Sequence, residues 1–172
     1  MASEPATIIY CCDADALIDL DSAGRFAELS KLVEQGRLRI ASGAFAETVR
    51  FRSISRQSKR MLEDWHARGQ VVVVVDDDSA ARSLLPDIDT RYGPQFSVEG
   101  VSYGGFWRSR AGRDAADAEV VAFAKAHGWV VISNDHSVHG ACLKESLGCH
   151  RWEHLALVIR QIPPPPEQPH LF

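Results

Sequence analysis

The stretch IIYCCDADALIDL, residues 8–20, decides the fold class of this chain. Its first half is apolar and β-rich, and with Thr7 it predicts a buried strand that ends at Cys12. An acid, Asp13, follows the strand at once, and the apolar residues after it are spaced as in a helix. A buried strand that leads directly into a helix is typical of a parallel α/β sheet.

The same alternation of strand and helix continues along the chain. Further strands are predicted at residues 37–41, 71–75, 129–133 and, at a sheet edge, 149–152. Helices are predicted between them, and Pro86 is expected to break or kink the one that begins at Ser79. We therefore predict a three-layer α/β/α domain over residues 1–162, with a central, mainly parallel sheet of four to five strands.

Two segments lie outside this alternation. Residues 93–113 are rich in Gly, Ser, Arg and aromatic residues and have neither a helical nor a strand period, which predicts an unusually long loop. Residues 163–172 are rich in proline and are expected to form an extended tail. A long loop of this kind commonly has a function, so it is a candidate for binding.

Composition places the chain among soluble globular proteins. Its 172 residues are 45% hydrophobic and 24% charged, which is enough for one sizeable core. No early segment is long or apolar enough to be a signal sequence or a membrane span, so a cytoplasmic protein is expected. The four cysteines match no zinc spacing and are predicted to be buried free thiols.

Four acids follow predicted strands or begin the next helix, although they lie far apart in sequence. They are Asp13, Glu47, Asp117 and Asp135. Because the carboxyl ends of parallel strands face one crevice, these side chains are expected to converge there. Carboxylates without a nearby Cys/His set favour Mg²⁺ or Mn²⁺, so the pattern predicts a metal site for either ion.

The net charge of −4 does not by itself favour a nucleic-acid partner. Five of the 23 acids, however, are the four above and Asp15, and the other 18 nearly balance the 19 Lys and Arg. Two divalent ions would offset most of the charge of the pocket. The overall charge therefore leaves an RNA substrate open.

These residues carry a resemblance to a known family. Residues 8–20 resemble the opening strand and acid of the PIN domain, a metal-dependent ribonuclease fold found in many toxins of toxin–antitoxin pairs. Three further segments match its motifs in order: SGAFAETV at 42–49, with Ser42 as the expected helix N-cap and Glu47 as the acid; DAEVVAFAKAHG at 117–128; and Ser133-Asn134-Asp135.

The resemblance implies an endoribonuclease whose products carry 5′-phosphate and 3′-hydroxyl ends. Asp13, Glu47 and Asp117 would hold the metal ions, and Asp135 would bind directly or through water. Three residues are expected to support the site: Ser133 orients Asp135 or a water, Asp15 adds a carboxylate, and Asp114 is the alternative to Asp117. The resemblance also implies an antitoxin partner, and we expect a homodimer.

Each acid also has an ordinary structural explanation. Asp13 would then be an exposed strand end, and Asp15 a helix N-cap. Glu47 would pair with Arg50 at the surface, and acids at positions 114 and 117 suit a helix N-terminus. The metal site is favoured because all four acids occur in order.

Basic and aromatic residues offer candidate RNA contacts. Arg50 and Arg56 lie in an acid-free stretch after Glu47 that suits a phosphate backbone or a solvated helix face. The segment 93–113 combines Arg108, Arg110 and Arg113 with the rings of Tyr103, Phe106 and Trp107. That combination suits stacking of unpaired bases. A lid, or a dock for an antitoxin or second subunit, is equally compatible.

Two other functions are compatible with the motifs. Asp13 and Asp15 form the Asp-x-Asp of a haloacid dehalogenase-like phosphatase, in which they are nucleophile and general acid. That function requires Asp15 and not Glu47, whereas the nuclease requires Glu47. A PIN-like binding or scaffold protein without catalysis is the third possibility, and it predicts no metal-dependent turnover.

Overall fold

A computed structural model describes residues 7–106 and 116–163 of the chain, and its central feature is a parallel sheet. The strands of that sheet are β1 (Tyr10–Cys12), β2 (Leu38–Ala41), β3 (Val72–Val73), β6 (Val130–Ile132) and β7 (Cys149–His150). Their order is β3-β2-β1-β6-β7, and every neighbouring pair is parallel. The predicted α/β fold with a parallel sheet of four to five strands is confirmed.

Helices flank the sheet. They are α1 (Ala14–Ser22), α2 (Ser30–Glu34), α3 (Ser42–Arg50), α4 (Arg56–Arg68), α5 (Ser79–Tyr92), α6 (Ala116–His127), α7 (His136–Lys144) and α8 (Trp152–Arg160). Short 3₁₀ helices occupy Phe26–Leu29 and Val75–Asp77. Within the described parts of the chain, no helix is long and apolar enough to cross a membrane.

The core lies on both faces of the sheet. Successive residues of a strand point to opposite faces, and both Cys11 and Cys12 of the central strand are fully buried. Helices must therefore cover each face, which gives the predicted three layers. All four cysteines are free thiols; Cys11, Cys12 and Cys142 are buried, whereas Cys149 is partly exposed.

Strand register brings the residues after the strands to one edge. Cys12 of β1 pairs with Ile40 on one side and with Ile132 on the other. The backbone N–H of Asp13 then donates to the carbonyl of Ile132 at 2.9 Å. The first residues beyond β1 and β6 are therefore neighbours, and the helix after β2 begins beside them.

The segment 93–113 is not entirely a loop. Its first half forms an antiparallel hairpin of β4 (Phe96–Val98) and β5 (Val101–Tyr103). The connecting residues Glu99 and Gly100 both have positive φ, 50° and 81°, which is the backbone of a type I′ turn. Glu-Gly is a weaker signal for this turn than Asn-Gly, so the pattern did not reveal the hairpin.

Helix α5 continues through Pro86, where a break or kink was predicted. An interior proline costs about 3 kcal/mol. Beyond it, however, Ile88 and Tyr92 are fully or almost fully buried. Burial of one such side chain contributes about 1.5–3 kcal/mol, so two of them offset the cost of the proline.

Candidate metal-binding site

Five acids line a single pocket at the carboxyl edge of the sheet. Its volume is about 230 Å³, and its lining consists of Asp13, Ala14, Asp15, Glu47, Asp117 and Asp135. The structure thus brings together all four acids that the sequence singled out, together with the supporting Asp15. They come from four places in the chain: the β1–α1 junction, α3, α6 and the β6–α7 junction.

Asp13 is the most deeply buried of these acids and is held by two hydrogen bonds. It is the N-cap of α1, where Oδ1 accepts from the N–H of Ala14 at 2.8 Å. Its Oδ2 accepts from the hydroxyl of Ser133 at 3.0 Å. The side chain is only 3% exposed, so the alternative that Asp13 is an exposed strand end is wrong.

Burial raises the pKa of Asp13 well above its usual value, and the nearby carboxylates of Asp117 and Asp15 raise it further. The hydrogen bonds from Ala14 and Ser133 act in the opposite direction but do not compensate. Negative charge at this position is therefore costly while the pocket holds acids alone. A divalent cation removes that cost because it supplies the opposite charge.

Asp15 lies in the first turn of α1 and lines the pocket. It accepts a hydrogen bond from the backbone N–H of Asn134 at 3.0 Å, so the suggestion that it is the helix N-cap is wrong. Burial raises its pKa, although the hydrogen bond from Asn134 lowers it in part. The side-chain amide of Asn134 also donates to Asp19. Residues 133–135 are thus tied to α1.

Ser133 connects two of the acids. Its hydroxyl donates to Asp13 and accepts from the backbone N–H of Asp135 at 3.0 Å. Asp135 itself caps α7, since its Oδ1 accepts from the N–H of Val138 at 3.0 Å. Ser133 was expected to orient Asp135 or a water, and it contacts the backbone of Asp135 and the carboxylate of Asp13.

Glu47 lies on α3, and a residue from another helix fixes the start of α3. The N-cap residue is Ala41, which offers no side-chain acceptor, so the predicted cap at Ser42 is wrong by one position. Instead, Glu119 of α6 accepts from the N–H of Gly43 at 3.0 Å and lies 3.5 Å from the hydroxyl of Ser42. Motif comparison did not identify Glu119.

The donor set of the pocket fits a hard divalent cation. All of the acids offer carboxylate oxygens, which Mg²⁺ and Mn²⁺ prefer. Among residues 7–106 and 116–163, no three His, Cys, Asp or Glu side chains form a group that could by itself hold a metal ion. Mg²⁺ does not require one, because it commonly binds through one or two carboxylates and keeps several waters.

The structure describes only some of the residues that were predicted to contact RNA. Arg50 and Arg56 are exposed at the end of α3 and the start of α4. Asp114 and the loop residues Arg108, Arg110 and Arg113 lie outside the described residues, as does Trp107.

The expectation that Tyr103 and Phe106 stack on unpaired bases is wrong, because both rings are buried. Tyr103 is 7% and Phe106 6% exposed. Tyr103 stacks on Phe96 with ring centroids 5.1 Å apart and also contacts His136, and Phe106 packs against Tyr92. These rings anchor the hairpin to the domain and leave no face for a base.

Comparison with solved structures supports the fold. The structure is similar to that of PAE2754 from Pyrobaculum aerophilum, with a TM-score of 0.51 and 15% identity over 94% of this chain and 95% of that one. FitAcB from Neisseria gonorrhoeae gives a TM-score of 0.47 and 15% identity over 85% of this chain and 99% of the other. No protein-family model and no curated protein matches the sequence. At this identity the similarity to PAE2754 shows a shared fold and nothing about activity.

Proposed function

We propose that this protein is an endoribonuclease that hydrolyses RNA phosphodiester bonds with Mg²⁺ or Mn²⁺ bound in the acidic pocket. The observation that carries the proposal is the convergence of Asp13, Glu47, Asp117 and Asp135 on one pocket. The match of the sequence to four ordered PIN motifs supports the same function. The activity rests on the site, because one fold can serve many functions.

Asp13, Glu47 and Asp117 would hold the metal, with Asp135 as a further ligand directly or through water. The bound ion would supply an activated water and offset the charge that develops on the phosphate oxygens. Ser133 keeps the carboxylate of Asp13 in a fixed orientation through its 3.0 Å hydrogen bond. Asp15 and Asn134 hold the β6–α7 junction, and with it Asp135, beside α1.

The substrate proposed for this site is RNA. Arg50 lies on the same helix as Glu47, one turn further on, and Arg56 begins the next helix. Both side chains are exposed, so their charge is available to a phosphate backbone. The PIN resemblance extends the proposal to a role as the toxin of a toxin–antitoxin pair, with an antitoxin protein as partner.

The test is cleavage of structured and single-stranded RNAs with Mg²⁺, with Mn²⁺ or with EDTA. Wild-type protein is compared with Asp13→Asn and Glu47→Gln, which remove one charge each and keep the side-chain shape. Glu63→Gln is the matched control, because Glu63 is an exposed acid on α4 that does not line the pocket. We expect metal-dependent cleavage by the wild type and by Glu63→Gln, and its loss in both pocket variants.

Two outcomes would contradict the proposal. Absence of cleavage by the wild type, with no binding of Mn²⁺ by calorimetry, would favour a non-catalytic binding protein. Hydrolysis of a phosphomonoester that needs Asp15 but survives Glu47→Gln would favour the phosphatase. Loss of RNA cleavage in Glu47→Gln, with the fold intact by circular dichroism, separates the nuclease from both.

A further inference from the structure

A second pocket runs along one edge of the central sheet. Strand β3 stands at the end of the strand order and pairs with β2 on one side. The pocket beside it has a volume of about 380 Å³, within the range of about 300–1,000 Å³ that is common for ligand sites. Its lining includes Val72–Val74, His66 of α4, Phe123 of α6 and the acids Asp77 and Asp78.

The backbone of β3 borders this pocket. Side chains of successive strand residues point to opposite faces of a sheet, yet Val72, Val73 and Val74 all line the same cavity. A cavity shared by three successive residues lies against the edge of the strand and not on one face of the sheet. A ligand in the pocket therefore meets main-chain atoms.

Backbone groups of β3 point away from the sheet at this edge. The carbonyl of Val71 accepts from the N–H of Ile40 at 2.9 Å, and Ile40 is the register partner of Val72. Because backbone groups alternate in direction along a strand, the N–H and carbonyl of Val72 point away from β2, as does the N–H of Val74. Within the described part of the chain, neither group of Val72 has a backbone partner. They are a donor and an acceptor for a further strand.

Helices of both layers flank this edge. The connection from β2 to β3 contains α4, whereas the connection from β3 to β6 contains α6 and runs back along the sheet. Because such connections are almost always right-handed, two that run in opposite directions lie on opposite faces. His66 and Phe123 line the pocket from these two helices, so β3 lies in a groove between the layers. The groove admits one extended segment, whereas the β3 of a second copy would be held away by its own flanking helices.

The edge lacks the usual protection against strand pairing. Exposed edge strands of natural proteins commonly carry lysine or proline. The run Val71–Val75 contains neither and consists of five β-branched residues. Val74 within it is 36% exposed. An edge of this composition favours the addition of another strand.

The acids that follow β3 indicate the charge of the segment that fits the groove. Asp76, Asp77 and Asp78 come directly after the valines. Asp78 is already engaged, since it caps α5 and contacts His127. Asp76 and Asp77 are exposed, and within residues 7–106 and 116–163 neither carboxylate forms an ion pair. Their charge favours a basic ligand.

We propose that the β3 groove, lined by Val72–Val74, His66 and Phe123, binds an extended segment of a partner protein in which basic and apolar residues alternate. The backbone of the segment adds a strand to the sheet at Val72, its apolar side chains enter the pocket, and its basic side chains reach Asp77. This surface shares no lining residue with the acidic pocket and is independent of the nuclease proposal.

The test is binding of the synthetic peptide acetyl-Lys-Val-Lys-Val-Lys-amide to the full-length protein, measured by calorimetry. Two comparison peptides separate the contributions to binding. The peptide acetyl-Glu-Val-Glu-Val-Glu-amide reverses the charge, and a Lys-Val peptide methylated at every backbone nitrogen cannot donate to β3. All titrations contain Mg²⁺, which competes with the peptide for the acidic pocket. We expect the first peptide to bind, and both comparison peptides to bind more weakly or not at all.

Three variants locate the site. Val72→Pro removes the outward N–H and keeps the sheet bonds of β3, because proline is tolerated on an edge strand whose N–H points outward. We expect it to weaken binding by about five- to tenfold through loss of a hydrogen bond. Val72→Thr keeps the N–H and the branched shape, so it should bind as the wild type does. Asp77→Asn should weaken binding by about two- to fivefold, as for an exposed ion pair.

Amide exchange measured by NMR on the wild type identifies the mode of binding without any variant. The peptide should slow exchange at Val72 and Val74 and leave Val73, whose N–H is directed at β2, unchanged. Absence of binding, equal affinity for the glutamate or the methylated peptide, or unchanged exchange at Val72 would overturn the proposal even if Val72→Pro failed to fold. Protection of Val72 that grows with protein concentration in the absence of peptide would overturn it in favour of a second copy.

Discussion

Replacing Glu119 by alanine should destabilise the protein and weaken metal binding in the acidic pocket. The side chain of Glu119 joins α6 to the first turn of α3 through the N–H of Gly43. Asp117 lies two residues before Glu119 on α6, and Glu47 lies one turn after Gly43 on α3. One carboxylate therefore helps to hold together the two helices that carry two acids of the pocket.

The magnitude follows from the two effects that the substitution removes. Loss of a side-chain acceptor at a helix N-terminus costs about 0.5–2 kcal/mol. Loss of a negative charge beside the positive end of the helix costs about 0.3–1 kcal/mol. Because the two overlap, we expect about 1–2 kcal/mol in total. For a chain of this size, a loss of 1 kcal/mol lowers the midpoint of thermal unfolding by about 2–4 °C, so this midpoint should fall by several degrees.

Thermal unfolding in EDTA measures the stability, and titration with Mn²⁺ measures the affinity. Glu119→Gln keeps an oxygen acceptor and loses only the charge, so its midpoint should lie between those of the wild type and Glu119→Ala. Glu63→Ala, at an exposed site on α4, is the control for the loss of a surface acid. Equal midpoints for Glu119→Ala and Glu63→Ala, with unchanged Mn²⁺ affinity, would refute the role assigned to this carboxylate.

Two further predictions concern the same pocket. Gly43→Ala should destabilise the protein, as measured by urea unfolding, because its Cβ would lie 2.9 Å from Oε2 of Glu119 and 3.0 Å from the Cα of Ala116. Overpacking of this kind costs about 1–3 kcal/mol. The higher helix propensity of alanine returns only about 0.5–1 kcal/mol. Asp13→Asn should raise the stability of the EDTA-treated protein at pH 7 by about 0.5–2 kcal/mol. Burial and like charges raise the pKa of Asp13 in the folded state. The wild type therefore loses stability as the pH rises above the unfolded pKa of about 3.9. The stability advantage of Asp13→Asn over the wild type should consequently vanish near pH 4. With saturating Mn²⁺ at pH 7 the wild type should instead be more stable than Asp13→Asn. Thermal unfolding of both proteins across a pH series, with and without Mn²⁺, measures these differences, and a different order of stability would contradict the prediction.

The position of the acids was predictable because it depends on local sequence and a general rule of topology. Asp13 follows an apolar strand directly, and Ser133 to Asp135 follow another. Once these segments are parallel strands, their carboxyl ends share one edge of the sheet. No knowledge of packing was needed for Asp13 and Asp135, because they are the residues next to the paired ends of β1 and β6.

Other parts of the site depend on contacts between segments that are distant in the sequence. The spacing of apolar residues does not reveal such contacts. Glu119 resembles any exposed acid in the first turn of a helix, and only packing of α6 on α3 places it at Gly43. The aromatic residues of 93–106 suggested base stacking by composition, but the hairpin folds back and buries Tyr103 against α7. A ring of Tyr103 lies where any side chain at Gly140 would have to go.

The ordinary and functional explanations of the acids are not exclusive. Asp13 and Asp135 both cap helices, as carboxylates at these positions usually do, and both also line the pocket. A carboxylate has two oxygens and about four lone-pair positions, so one hydrogen bond to a helix N–H leaves capacity for a cation or its waters. The cap also restricts the rotation of the side chain. A helix N-cap at the carboxyl edge of a parallel sheet is therefore a carboxylate already oriented for ligand binding, which explains why the capping pattern and the metal motif fall on the same residues.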